Sequence, residues 1–300
     1  METNRNAYYR GEIVKVYGNL TLDGTPVTDG LVAVEINDPR GSILTIRTLN
    51  TGTPPQQAWY VYIGTIFTSD QSGNPKSEFM RGELLYVNIT VINNDVEPRL
   101  TLVTAVALDK DLVPMGTASV KATIPGRTHT RYIVSIPVPT DAAIGTATVH
   151  VNAYTDWPML QGVPYCPERS TTCNIVTAGG SASASAETAT ATTETTQQAS
   201  QNYNLTFKLP SQIAVGNFTA YVSSTYQGLT AFNSKKFKVK LLGDINGDNR
   251  VNYLDAYYLL KSYLKSEGDP QYNPEADFNR SGKVDFNDVF IFLKNYLKEA

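Results

Sequence analysis

Apolar and polar residues alternate with a period of two along most of the chain, the mark of half-buried β-strands. From Tyr8 to Gly64 the alternation runs through 12–17, 31–36 and 58–63, broken by Asp23-Gly24, Asp29-Gly30, Pro39 and Gly41. Short strands at such spacing, separated by turn residues, predict a β-sandwich of Greek-key type. Further alternating segments at 86–92, 100–107, 119–124, 132–138 and 143–154 predict a second one. The fold class is thus mainly β, with immunoglobulin-like β-sandwiches in tandem over 1–64 and 65–176. Trp59 reads as a core anchor.

Between 177 and 201, 18 of 25 residues are Ala, Ser or Thr, and none is aromatic, Leu, Ile or Val. So little apolar surface does not offset chain entropy, which predicts a linker. Its stretch 181–192 also alternates with period two, so a donor strand is the alternative. After it the chain repeats itself: 143–151 aligns with 214–222, and Tyr132 with Tyr203, at one constant offset. Residues 202–242 therefore read as a partial sandwich without its opening strands. An apolar face and two edges cannot stay bare. These strands are expected to pack on the second sandwich, to take the Ala/Thr run, or to await a strand from another copy, which would build a polymer.

After Gly243 the pattern changes. Asp244, Asn246, Asp248, Arg250, Asn252 and Asp255 occupy positions 1, 3, 5, 7, 9 and 12 of a twelve-residue loop. Asp277, Asn279, Ser281, Lys283, Asp285 and Asp288 repeat the same positions farther along the chain. Oxygen side chains at 1, 3, 5, 9 and 12 with a backbone carbonyl at 7 are what a hard cation such as Ca2+ requires, so two calcium sites are predicted. Arg250 and Lys283 contribute only the carbonyl. Position 6 must turn sharply, and Asn249 and Gly282 tolerate left-handed backbone. Ser281 is a poorer ligand than Asp248, so the first site is expected to be tighter. Each loop runs into a helix whose predicted core face is Ala256, Leu259, Leu260, Tyr263 and Leu264, then Val289, Phe292, Leu293, Tyr296 and Leu297. Off that face lie Tyr253, Tyr257 and Lys261, matched by Phe286, Phe290 and Lys294, a paired stripe of aromatic anchors and basic rim expected to contact a partner.

This duplicated loop-helix unit over 243–300 resembles the dockerin family, EF-hand-like modules that bind cohesin domains in cellulosomes and other extracellular assemblies. The resemblance implies a small all-α module folded by calcium. Positions 10 and 11, often small hydroxyl residues in cellulosomal dockerins, are here Tyr253-Leu254 and Phe286-Asn287. The sandwiches are loosely similar to immunoglobulin-like modules of archaeal and other prokaryotic cell-surface proteins.

Charge narrows the function. The net charge of −3 lies wholly in 244–300, with ten acids against seven bases, and the rest is neutral. No basic face for nucleic acid is present, and no apolar run approaches the ~18 residues of a membrane span. The first residues lack an apolar leader, so the expectation is an exported, extracellular or cell-surface chain whose signal peptide has been removed. Cys166 and Cys173, with Pro, Ser and Thr between them, are expected to close a small disulfide loop. Asn19, Asn88, Asn204 and Asn217 head glycosylation sequons, so glycans are possible partners. His129 and His150 stand in no ligand spacing, and no nucleophile elbow, phosphate loop or dinucleotide fingerprint occurs. No catalytic residues are assigned. The leading expectation is a non-enzymatic modular protein docking on a cohesin-like partner. A self-assembling filament or surface-layer subunit, bound to copies of itself, is the alternative; a carbohydrate-active or carbohydrate-binding protein delivered by its dockerin comes third.

Overall fold

The computed structural model describes residues 1–53, 59–177 and 202–299. Strands β1 (Glu2–Thr3), β2 (Ala7–Tyr9), β3 (Ile13–Asn19), β4 (Thr21–Leu22), β5 (Thr25–Pro26), β6 (Leu31–Asn37) and β7 (Ile43–Asn50) come first. The middle of the chain forms β8 (Val61–Ser69), β9 (Glu78–Met80), β10 (Leu84–Asn93), β11 (Arg99–Leu108), β12 (Pro114–Ile124), β13 (Thr128–Pro137), β14 (Gly145–Tyr154) and β15 (Arg169–Val176). Then come β16 (Asn202–Lys208), β17 (Gly216–Tyr226) and β18 (Leu229–Lys240), followed by helices α1 (Tyr253–Ser262) and α2 (Phe286–Asn295). The linker or donor strand expected at 177–201 falls, apart from Thr177, outside the described residues, as does Ala58 of the strand expected at 58–63.

One sandwich packs sheet β13-β10-β8 on sheet β12-β11-β14-β15-β9. The other packs β16-β3-β1 on β7-β6-β17-β18-β2. The two orders correspond strand for strand, down to a parallel edge pair in each: β15 with β9 and β18 with β2. This corrects the domain reading. Residues 1–64 are not a whole sandwich, and 202–242 are not an orphaned fragment. Asn202–Lys208 pair with Asn19–Ile13, and Thr219–Thr225 with Asn37–Leu31. The opening strands missing from the repeat are thus the N-terminal ones, and the second sandwich is inserted between β7 and β16. The cause is burial: Val14 and Val16 of β3 and Tyr203, Leu205 and Phe207 of β16 each carry one apolar face, and pairing closes both over Phe218 and Phe237. These two rings stack at 5.5 Å. Fully burying a side chain of this size stabilises by roughly 1.5–3 kcal/mol.

The large sheets of the two sandwiches face each other, so β6 is buried on both sides. Val32, Val34 and Ile36 enter its own core, while Ala33 joins Ile46, Leu102 and Tyr154 between the sandwiches. Polar groups share that interface. Glu35 accepts from Met159 N at 3.1 Å, and Thr48 Oγ1 donates to Tyr154 OH at 3.1 Å. Arg47 forks onto Glu168 at 2.7–2.9 Å, with His150 Nδ1 at 2.9 Å from the same carboxylate. Burial alone would raise the Glu168 carboxyl, but Arg47 and His150 outweigh it and hold it well below the usual range. Burial lowers His150.

The helical unit rests on the first sandwich. Tyr9 of β2 enters its core and meets the Phe278 ring edge-on at 6.4 Å. Arg280 binds Glu12 through Nη1 at 2.6 Å and Nη2 at 3.1 Å, and Lys240 pairs with Glu275. The structure is thus two β-sandwiches followed by a small two-helix module.

Candidate functional site

The first loop folds around its own carboxylates. Asp244 Oδ1 accepts from Gly247 N (2.7 Å) and Asp248 N (3.2 Å), and its Oδ2 from Asn249 N (2.9 Å). Asp255 Oδ1 accepts from Ile245 N (2.8 Å) and Asn246 N (3.1 Å). These bonds bring the carboxylates together, and one oxygen from each of Asp244, Asp248 and Asp255 lies within 4.8 Å of the others. Asp244 and Asp255 are buried. No lysine or arginine pairs with the three among the described residues. Burial first, then the Asp255 and Asp248 charges, raises the Asp244 carboxyl. An all-oxygen set with converging, uncompensated negative charge fits a hard divalent cation.

The second loop repeats the scaffold with a different filling. Asp277 accepts from Ser281 N (3.0 Å) and Gly282 N (2.8 Å), and Asp288 from Asn279 N (3.2 Å). Position 5 contributes a hydroxyl, and Ser281 Oγ donates to the Lys283 carbonyl at 3.0 Å, joining two of the expected ligands to each other. Tyr272 OH donates to Asp277 Oδ2 at 2.8 Å, a contact the loop spacing does not announce. Position 6 is left-handed in both loops, Asn249 at φ 67° and Gly282 at φ 82°.

Positions 9 and 12 also start the helices. Asn252 Oδ1 accepts from Leu254 N at 2.8 Å while Asp255 Oδ2 accepts from Asn252 N at 2.9 Å, a capping box repeated by Asp285 and Asp288. Such a box satisfies N-terminal donors that a ten-residue helix cannot leave bare. The loops are also cross-strapped. Val251 of loop one exchanges backbone bonds with Leu297 and Lys298 beyond α2, and Val284 of loop two with Leu264 and Lys265 beyond α1, at 2.8–2.9 Å. Each loop thus holds the end of the other loop's helix.

The expected helix core faces are half right. Leu259 and Phe292 are buried, and Ala256 and Val289 pack beside them. Leu260, Leu264, Leu293 and Leu297 are exposed, Leu297 by 74%, and Tyr296 is exposed as well. The helices stop at Ser262 and Asn295, and Leu264 and Leu297 turn left-handed at φ 62° and 64°, rotating off the core. The residues assigned to a partner stripe do face outward: Tyr253 is 71% and Phe286 69% exposed, with Tyr257, Phe290, Lys261 and Lys294 also exposed. Lys294 Nζ lies 4.1 Å from the Phe290 ring centre. The leucines widen this surface into two stripes, 253–257–260–264 and 286–290–293–297. Apolar residues at helical spacing read as core whether the chain itself or a partner covers them.

Two other expectations are corrected. Cys166 and Cys173 are free thiols buried in the second sandwich, Cys166 beside the backbone of Ile63 and Cys173 on β15 opposite Ala147. Burial pushes both up to about 12. Asn88 does not suit a glycan: it is 1% exposed and its Oδ1 accepts from Arg131 Nε at 2.7 Å. Asn19, Asn204 and Asn217 are exposed.

Residues 242–298 match the dockerin type I domain family, placing a dockerin-type module at this end of the chain. Modules of that family imply calcium binding and protein–protein docking. No curated protein matches the chain. Among solved structures the chain is similar to a Paenibacillus cycloisomaltooligosaccharide glucanotransferase, at 16% identity and TM-score 0.29 over 38% of this chain and 14% of that one. A Niemann-Pick type C2 protein from Japanese carpenter ant gives 13% identity and TM-score 0.28 over 40% and 96%. A Bacteroides uniformis beta-glucuronidase gives 11% identity and TM-score 0.30 over 56% and 26%. Likenesses at this level say nothing about activity. No helix among the described residues is long and apolar enough to cross a membrane.

Proposed function

We propose that this is a non-catalytic, extracellular modular protein whose two-sandwich body presents a calcium-folded docking module to a cohesin-like partner in a cell-surface assembly. The observation that carries this reading is the pair of exposed stripes led by Tyr253 and Tyr257 on α1 and by Phe286 and Phe290 on α2, within the segment that matches dockerins. Apolar side chains at matching positions of both helices, left in water, serve association better than folding. Two calcium ions shape that surface, one held by Asp244, Asn246, Asp248, Asn252, Asp255 and the Arg250 carbonyl. The other is held by Asp277, Asn279, Ser281, Asp285, Asp288 and the Lys283 carbonyl. The first is the tighter site. Exposed Asn19, Asn204 and Asn217 are the places for glycans. A filament by strand donation loses its motive, because β16–β18 already pair within the chain.

Calorimetric titration of the calcium-loaded chain into a panel of cohesins tests the reading. Binding that EDTA abolishes is the expected result. Tyr257→Ala with Phe290→Ala should weaken it by about a hundredfold, near 2.7 kcal/mol. Calcium-independent retention, or no loss in the double variant, overturns the assignment.

A further inference from the structure

A cleft between the two sandwiches has the makings of a ligand site remote from the calcium loops. Its volume is about 360 Å³, within the ~300–1,000 Å³ of small-molecule sites. Trp59 and Tyr60 ahead of β8, Tyr165 in the loop before β15, and Tyr226 at the end of β17 line it. Four rings thus converge from three distant stretches and from both sandwiches. Asp29 and Gln227 supply polar groups among them. Trp59, read from sequence as a core anchor, packs one side on the second sandwich's core and still reaches this cleft.

Part of the wall is anchored by hydrogen bonds. Tyr165 is pinned at both ends, its N donating to Ala153 O at 2.9 Å and its OH to Leu100 O at 3.0 Å. Tyr60 O accepts from Asn94 N at 2.7 Å. Gln227 sits in the β17–β18 turn at φ 48°, and its Nε2 donates to Tyr226 OH at 3.0 Å, aligning amide and ring. Asp29 is held by the adjoining Gly30, which exchanges bonds with Thr51 at 3.0 Å. Its carboxylate has no partner among the described residues. Tyr60 is 65% exposed, an aromatic ring left in water beside three others.

Charge selects among ligands. No lysine or arginine among the described residues lines the cavity, and nearby Arg99 is already paired with Asp95, so a phosphate or uronate would meet Asp29 with no free cation to offset it. A cation is disfavoured too, because the Arg99 guanidinium already lies 5.9 Å from the Tyr60 ring centre. What remains is an uncharged ligand with apolar faces for the rings and hydroxyls for the carboxylate and amide. We propose that this cleft binds a neutral saccharide, its C–H faces stacked on Tyr60 and Tyr226 and its hydroxyls bonded to Asp29 and Gln227.

The test is calorimetric titration of the full chain with cellohexaose, xylohexaose, mannohexaose and maltohexaose, with hexagalacturonate and acetylcholine as charged probes. At least one neutral hexasaccharide should bind with Kd between about 10 μM and 1 mM. Tyr60→Ala should weaken it about tenfold and Asp29→Asn severalfold. Tyr60 bears little of the fold's packing, so an unchanged melting temperature in Tyr60→Ala separates lost binding from lost structure. EDTA should leave saccharide binding intact while abolishing docking, which keeps the two assignments independently refutable. No binding of any neutral hexasaccharide up to about 10 mM, full affinity in Tyr60→Ala, or preference for either charged probe would overturn the proposal.

Discussion

The two-sandwich body and the helical module solve the same problem with opposite materials. The body closes over continuous apolar cores, with Tyr8, Phe207 and Phe218 almost wholly buried in one sandwich and Phe79, Leu85 and Ile89 in the other. The module's core has nine buried apolar residues, and one of them, Tyr9, is lent by the first sandwich. Its interior also holds four buried carboxylates, those of Asp244, Asp255, Asp277 and Asp288. Apolar burial needs no counter-ion, whereas a cluster of buried carboxylates destabilises a fold until cations bind it. Under the proposed calcium-folded reading, so small a core leaves its closure to metal, and stability there is expected to depend on calcium.

Chelation should expose that asymmetry most sharply. Removing calcium held at about 1,000 times its Kd withdraws about 4 kcal/mol from the module. The helical circular dichroism signal should collapse while the β-sheet signal and its melting transition stay in place. A helical signal indifferent to EDTA would erase the distinction. Phe207→Ala provides the reverse experiment, costing the first sandwich about 3–5 kcal/mol with or without calcium; differential scanning calorimetry reads both.

Within the module, Ser281→Asp should bring loop two toward loop one, raising its calcium affinity by about tenfold, near 1.4 kcal/mol. Asp248→Ala should lower loop one by a similar factor, both followed by competitive titration against a chelating dye. Equal affinities in the unaltered protein would show that position 5 does not set the ranking.

The smallest effect belongs to the body. His150, whose ordinary value is 6.5, is lowered by burial, so the unfolded chain takes its proton more readily. That contribution is complete above about pH 6.5 and is lost as pH falls below it. The Glu168 carboxyl is depressed from 4.5, and its stabilising part disappears at still lower pH, as the solution approaches its folded value. Urea midpoints of the body in EDTA should therefore decline on acidification from pH 6.5, and His150→Gln should flatten the slope between about pH 6.5 and 5.

Much of this was legible residue by residue. Alternation at Val32, Val34 and Ile36 against Ala33, Glu35 and Asn37 announced a strand with two faces. Oxygens at positions 1, 3, 5, 9 and 12 announced the loops that run into the helices, but not that Asn252 and Asp255 would also cap the first of them. Other features were not. Leu260 and Leu293 obey helical spacing yet face water, since periodicity fixes a face and not what covers it. The short separation of Cys166 and Cys173 permits a loop, but chain direction sends both thiols into apolar packing. The Asn88 sequon is intact in sequence and inaccessible in the fold.

The chain's local order determined strand character, turn placement, the spacing of ligating oxygens and the aromatic spacing along both helices, because these depend on neighbours close by in the chain. Only the tertiary structure decided that Asn202–Lys208 complete a sandwich begun at Ile13–Asn19, that the chain of a second sandwich is inserted between strands of the first, and that Trp59, Tyr165 and Tyr226 share a cleft. Backbone ladders are blind to sequence distance, and an apolar face accepts any complementary face. Which pair forms is settled by the burial of the whole chain at once.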